Sequence, residues 1–254
     1  MELTIKMFLI VCPLVFLAGL VDAMAGGGGL ISLPAYLFAG LPAHTAVATN
    51  KLSSSVGTVI STIRICRKKH MDFPLAVPSI LAALCGSWLG AHVALMVSDQ
   101  ILKIFMAFLL PVIAYYVLRK KDLDDSGKTA LTRKTQYIIA TIASLLVGLY
   151  DGFYGPGTGT FLILIYTGLV KMDVLTAAGN TKLVNLSSNV SALLVFLANG
   201  VVMLPLGLVA CIFSIAGHYI GAGLVLKNGS RIVRVIILFV VALLFCKIML
   251  EWIL

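Results

Sequence analysis

The chain has 254 residues, of which 60% are hydrophobic and 11% charged, with mean hydropathy +1.07 and formal net charge +9. A water-soluble domain carries about 25% charged residues, so most of this chain is built for lipid, which excludes an ordinary soluble enzyme. The basic excess sits in short segments between apolar runs, where it sets orientation in a membrane and does not mark a nucleic-acid partner.

In chain order, Met7 to Val21 is an apolar run flanked only by Glu2 and Lys6. That flank is too weak for a secretory signal, and the run reads as a retained first helix. Ala23 to Asn50 and Leu183 to Leu226 contain no Asp, Glu, Lys or Arg. Each exceeds the roughly 20 residues that cross a hydrocarbon core as a helix. They are apolar on every face, whereas strands of a membrane barrel alternate, so the fold class is all-α, a polytopic transmembrane helical bundle. Arg64, Arg67, Lys68 and Lys69 form a basic loop, followed by helices at about Phe73 to Val97 and Ile101 to Leu118 with a turn at Ser98 to Gln100. After a basic segment, Arg119 to Lys134, come Gln136 to Asp151, Thr158 to Val170 and Val174 to Leu197. The middle one is short and follows a Gly/Pro break, which predicts a re-entrant or half-helix covered by its neighbours. The total is about eight to ten crossings. Cys12, Cys66, Cys85, Cys211 and Cys246 are scattered without a CxxC and read as small buried hydrophobes.

The chain is internally duplicated. Gly19 to Gly28 (GLVDAMAGGG) aligns with Gly148 to Gly157 (GLYDGFYGPG), which sets Asp22 over Asp151. TNKLSS at Thr49 to Ser54 resembles TKLVNLSS at Thr181 to Ser188, and Gly86 to Ala91 (GSWLGA) matches Gly217 to Ala222 (GHYIGA). The offsets are 129 positions for the first match and 131 for the others. The domains expected are a first transmembrane repeat at 1–118, a basic cytoplasmic linker at 119–134 and a second repeat at 135–254. Equivalent turns differ in charge: Ala198 to Leu204 has none, whereas the turn matching Ser98 to Gln100 carries Lys227, Arg231 and Arg234. Basic loops stay cytoplasmic, so the repeats are expected to have inverted topology, with a substrate site near the midplane.

Three groups of residues could carry chemistry. Gly26 to Gly29 and Gly155 to Gly159 break their helices and leave the following half-helix with unpaired N–H groups, an anion site around Gly28, Gly29, Gly157 and Thr158. Lys51 and Lys182 are lone cations in apolar stretches, and such a charge persists only where it is compensated. Their neighbours Thr49, Asn50, Ser53, Asn180, Thr181 and Asn185 add neutral donors, a set that suits an oxyanion better than a metal ion. Asp22 and Asp151 either ion-pair with a lysine or cap a broken helix, or they carry a coupling proton. His44, His92 and His218 share no motif spacing and read as packed residues. Asp99 and Asp173 lie in predicted turns.

The paired segments GLVDAMAGGGGLISLP with TNKLSS, and GLYDGFYGPGTGTFLI with NTKLVNLSSN, closely resemble the signature segments of the sulfite exporter TauE/SafE family of membrane permeases, over nearly the whole chain. The resemblance implies a prokaryotic plasma-membrane transporter for sulfur-containing anions such as sulfite, sulfoacetate or other sulfonates; it does not set the direction, and export is the direction expected here. No cofactor and no metal are expected. The expected partners are the small anion, the lipid bilayer, protons as coupling ion and a second copy of the chain, with no nucleic acid. A passive anion channel is the nearer alternative. An intramembrane sulfur-handling enzyme is the remoter one, since neither signature segment holds a cysteine or a paired-carboxylate motif.

Overall fold

The computed structural model describes residues 3–67, 71–98, 100–101 and 131–228, with 232, 235 and 236. These residues form eight α-helices and no strand: α1 (Ile5–Ala25), α2 (Gly29–Phe38), α3 (Ala43–Cys66), α4 (Phe73–Met96), α5 (Arg133–Phe153), α6 (Thr158–Gly168), α7 (Val174–Ala198) and α8 (Leu204–Asn228). Of the helix expected at 101–118 all but Ile101, and of the 119–134 linker residues 119–130, lie outside them; Arg133 and Lys134, expected in the linker, open α5.

The helices α1, α4, α5, α7 and α8 are each long and apolar enough to cross a membrane. The chain is therefore a multi-pass helical membrane protein. The stretch Ala23 to Asn50, expected to be long enough for a span, is instead divided into the end of α1, the short α2 and the start of α3. Gly26 turns α1 off at φ 74°, its N–H bonded to Asp22 O at 2.8 Å. At 10 and 11 residues, α2 and α6 reach about half a hydrocarbon core at 1.5 Å per residue. The half-helix expected at Thr158 to Val170 is thus present as α6. Local caps fix the other starts. The carboxylate of Asp72 accepts from Leu75 N at 3.3 Å, and that of Asp173 from Thr176 N at 3.0 Å.

Packing repeats between the halves. α1 lies along α8 while α5 lies along α4; α3 meets α8 while α7 meets α4; and α3 meets α7. A methyl on Gly217 would come 2.9 Å from Leu20 N, and one on Gly86 2.9 Å from Leu149 N, so glycine at both places lets backbones touch. Likewise Met203 N donates to Thr49 Oγ1 at 3.0 Å, and Asp72 N to Asn180 Oδ1 at 2.9 Å. Each member of these pairs stands 129 or 131 positions from its counterpart.

The helix ends sort into two groups. Met7 of α1, Tyr36 of α2, Ala43 of α3, Ala94 of α4, Phe196 of α7 and Leu206 of α8 share one apolar cluster. Leu75 of α4, Ala140 of α5, Tyr166 of α6 and Ala177 of α7 share another, and Val225 of α8 packs in a third with Val174 of α7. The starts of α1, α3 and α8 therefore lie with the ends of α2, α4 and α7, and the starts of α4, α5 and α7 with the ends of α6 and α8.

Candidate functional site

The two helix breaks meet each other. A methyl on Gly159 would lie 2.5 Å from Gly26 Cα, and one on Gly29 2.9 Å from Pro156 Cα. Only glycine allows the chains to touch there. Thr160 Oγ1 donates to Ala25 O at 2.8 Å, satisfying a carbonyl that the end of α1 leaves open.

Each break carries its aspartate about one turn before it, and each aspartate is met by the lysine of the other half. Lys51 Nζ on α3 lies 2.7 Å from Asp151 Oδ2 on α5. Lys182 Nζ on α7 lies 3.4 Å from Asp22 Oδ2 on α1, and it also donates to Asp22 O. Both lysines are buried, at 2% and 1% exposure. A bare ammonium here would be prohibitive, so the crossed carboxylates are what allow the lysines to stay charged.

The hydrogen-bonding shells of the two carboxylates differ. Asp151 accepts from Thr158 Oγ1 at 2.7 Å and Ser188 Oγ at 2.6 Å. Lys51 also donates to Asn189 Oδ1 at 2.9 Å, an amide held by its own bond to Asn185 O at 2.9 Å. Asp22 accepts from Gly28 N at 3.3 Å, the first turn of α2, and its Oδ2 lies 3.2 Å from His218 Nε2.

Most of the residues singled out in the sequence gather here, in three roles. Lys51, Asn50, Asn185, Gly29 and Thr158 line a cavity between the two breaks together with Asp22 and Asp151. Gly28 and Ser53 line a smaller cavity on the far side of Asp22. Thr49 and Asn180 hold helix starts through the backbone bonds above, and Gly157, at φ 83°, precedes α6. The ammonium of Lys182 sits at Asp22 and, unlike that of Lys51, does not border the central cavity. The lysines thus occupy two separate ion pairs, the first of the alternatives that the sequence left open for Asp22 and Asp151. The side-chain oxygens of Asn50 and Thr181, repeat equivalents, are buried without a partner. The central cavity has room for about one or two water molecules, too little for an organic anion in this conformation.

His218, expected to be mere packing, is part of the site. Nothing in its spacing marked it, because its repeat equivalent is Ser87 and the match is broken at that position. Its only sequence signal is that it stands inside the duplicated GHYIGA segment.

Comparison with known proteins assigns the architecture. Residues 11–248 match the family model described as Sulfite exporter TauE/SafE. The chain belongs to the sulfite exporter TauE/SafE family. A "Probable membrane transporter protein" of Sinorhizobium sp is 35% identical over 225 residues, covering 89% of this chain and 85% of that one. Relatives with the same printed description from Escherichia coli and Haemophilus influenzae are 33% and 31% identical, each covering 92% of this chain and 86% and 91% of their own length. No solved structure matches. As a TauE/SafE member the protein is a multi-pass transporter of the plasma membrane and not an enzyme, and its own duplicated segments are those that build the crossed ion pairs.

Proposed function

We propose that the protein exports small sulfur-containing anions, sulfite, sulfoacetate or other sulfonates, by alternating access at the cavity between the two helix breaks. The observation that carries this reading is the pair of buried lysines, each held by the other half's aspartate at a broken helix. An arriving oxyanion competes with Asp151 for Lys51 in the cavity that Asn50, Thr158 and Asn185 also line. Crossed pairs also couple the halves mechanically, since neither can move without exchanging partners at both sites.

Inverted topology supports the same reading. The sorting of helix ends runs α3 and α7, and likewise α4 and α8, in opposite directions. The ends near Arg64, Asp72 and Arg133 form the basic, cytoplasmic side: Arg64 lies 4.0 Å over the Tyr219 ring near the end of α8, and Arg133 lies 2.5 Å from Asp72. Two inverted halves around one midplane cavity are the architecture of a rocking carrier. A cavity with room for only about one or two waters favours that carrier over an open channel.

Equilibrium binding of sulfite and isethionate to purified protein tests the site. The double variant Lys51→Met with Asp151→Asn removes the pair without leaving a buried charge. It is expected to lose affinity by about 2 kcal/mol or more, tenfold per 1.4 kcal/mol. Unchanged affinity in that variant rejects the site.

A further inference from the structure

The shells of the two aspartates have diverged, and beside Asp22 an imidazole stands where a serine hydroxyl meets Asp151. The offset that carries Lys51 onto Lys182 also carries Gly57 onto Ser188, Thr58 onto Asn189 and Ser87 onto His218. Around Asp151, Ser188 Oγ donates to Oδ2 at 2.6 Å, and Ser87 Oγ donates to Ser188 O at 2.5 Å. Around Asp22, Gly57 supplies no side chain. His218 fills the space instead: a methyl on Gly57 would lie 2.7 Å from His218 Cε1. Its ring takes the position of the serine hydroxyl, with Nε2 3.2 Å from Asp22 Oδ2. A serine can only offer the same neutral hydroxyl at every pH. An imidazole can gain or lose a charge between about pH 5 and 8.

Hydrogen-bond chemistry locates a proton at this contact. His218 Nδ1 is 2.9 Å from the carbonyl oxygen of Ser214, which can only accept, and 3.3 Å from the Ser214 hydroxyl, which can donate; in the tautomer that donates to the carbonyl, Nδ1 carries a hydrogen. In that tautomer Nε2, facing a carboxylate oxygen, has room for a second hydrogen shared with Oδ2. It makes either an imidazolium with a carboxylate or a neutral imidazole with a carboxylic acid. When that proton leaves, two lone pairs face each other, and Thr58 Oγ1, 3.5 Å from Nε2, is placed to turn its hydroxyl toward the ring.

We propose that His218 and Asp22 form the coupling-proton site of the transporter, and that one proton bound there accompanies each monovalent anion; the stoichiometry rests on the anion-transport reading above. The charges facing the dyad are Lys182 from α7 and, across the central cavity, Lys51 from α3 and Asp151 from α5. From α2 and α6 come backbone N–H groups, Ser32 and Thr158, while Tyr36 is bonded to Ser53 and Arg64 of α3 lies against Tyr219. Two ammonium groups and two carboxylates cancel. The shared proton therefore leaves the site with one net positive charge, and its loss leaves none, so proton and anion favour each other's binding. Asp151 is ringed by the Thr158 and Ser188 hydroxyls and Lys51, with no imidazole beside it. A water-sized cavity bordered by Asp22, Ser54, Ser214 and His218 reaches the dyad.

The test uses isethionate, a permanent monoanion that carries no proton itself, in proteoliposomes holding a pH-sensitive dye and clamped for membrane potential. Wild type is expected to move about one proton per isethionate, and His218→Gln to lower that ratio about tenfold even where its exchange is slower. An unchanged ratio overturns the proposal. A substrate-free arm separates it from the anion reading: the pH-difference infrared spectrum of purified wild type should show imidazole bands that are lost in His218→Gln. The same bands should be lost in the double variant Gly57→Ser with His218→Ser, which rebuilds the other half's arrangement and guards against misfolding. Absence of these bands in wild type, or their survival in both variants, overturns the proton site. Absence of isethionate flux in wild type with the bands present contradicts the anion reading and leaves the proton site standing.

Discussion

At the scale of single residues, the site is governed by the cost of burying charge. Lys51 and Asp151 stabilise each other at 2.7 Å, and removing one strands the other, which costs about 3–5 kcal/mol. Lys51→Met alone is therefore expected to unfold in detergent at markedly lower temperature than wild type, whereas adding Asp151→Asn restores most of the loss. Thermal unfolding of the two variants checks this, and equal instability of both would mean that the pair does not offset a buried charge. The lysines and aspartates were legible in the sequence because each is a lone charge in an apolar stretch and each is duplicated. Their partners were not, since pairing across the halves depends on how the repeats interlock, which no local spacing encodes. His218 was illegible for the opposite reason. It lies where the duplication fails, and its role arises only from the space that Gly57 leaves beside it.

At the scale of elements, the breaks matter more than the spans. Glycine clusters announced both breaks, and Pro156 reinforced the second. Hydropathy alone misjudged Ala23 to Asn50, because a half-helix and two flanking helix ends are as apolar as one span. It also undervalues α3, whose Thr, Asn, Lys and Ser face the interior of the bundle. The contact of the two breaks yields a prediction whose sign is informative. In an open helix Gly→Ala stabilises by about 1 kcal/mol. At Gly159, whose added methyl would lie 2.5 Å from Gly26 Cα, Ala is expected to destabilise by about 1–3 kcal/mol, read as a lower Tm. A raised Tm would show that the breaks are not in backbone contact.

At the scale of the whole molecule, all-helical architecture and membrane residence follow from composition, while the folding of the two halves around each other does not. The clustering of basic residues carries the proposed orientation, in which Arg64 at the end of α3 and Lys227 at the end of α8 face the cytoplasm. In a background lacking native cysteines, single cysteines placed at Asn228 and Gln100 are expected to label from opposite faces of the membrane, Asn228 from the cytoplasm. Labelling of both from one face would contradict the inverted arrangement. The central claim, that a small sulfur-containing anion is carried through the cavity between the breaks, is tested most directly by counterflow. Proteoliposomes preloaded with unlabelled sulfite or isethionate and diluted into trace labelled anion are expected to accumulate label transiently and saturably, and to fail to do so with Lys51→Met and Asp151→Asn combined. Flux that neither saturates nor responds to preloading, or accumulation that the double variant leaves intact, would contradict it.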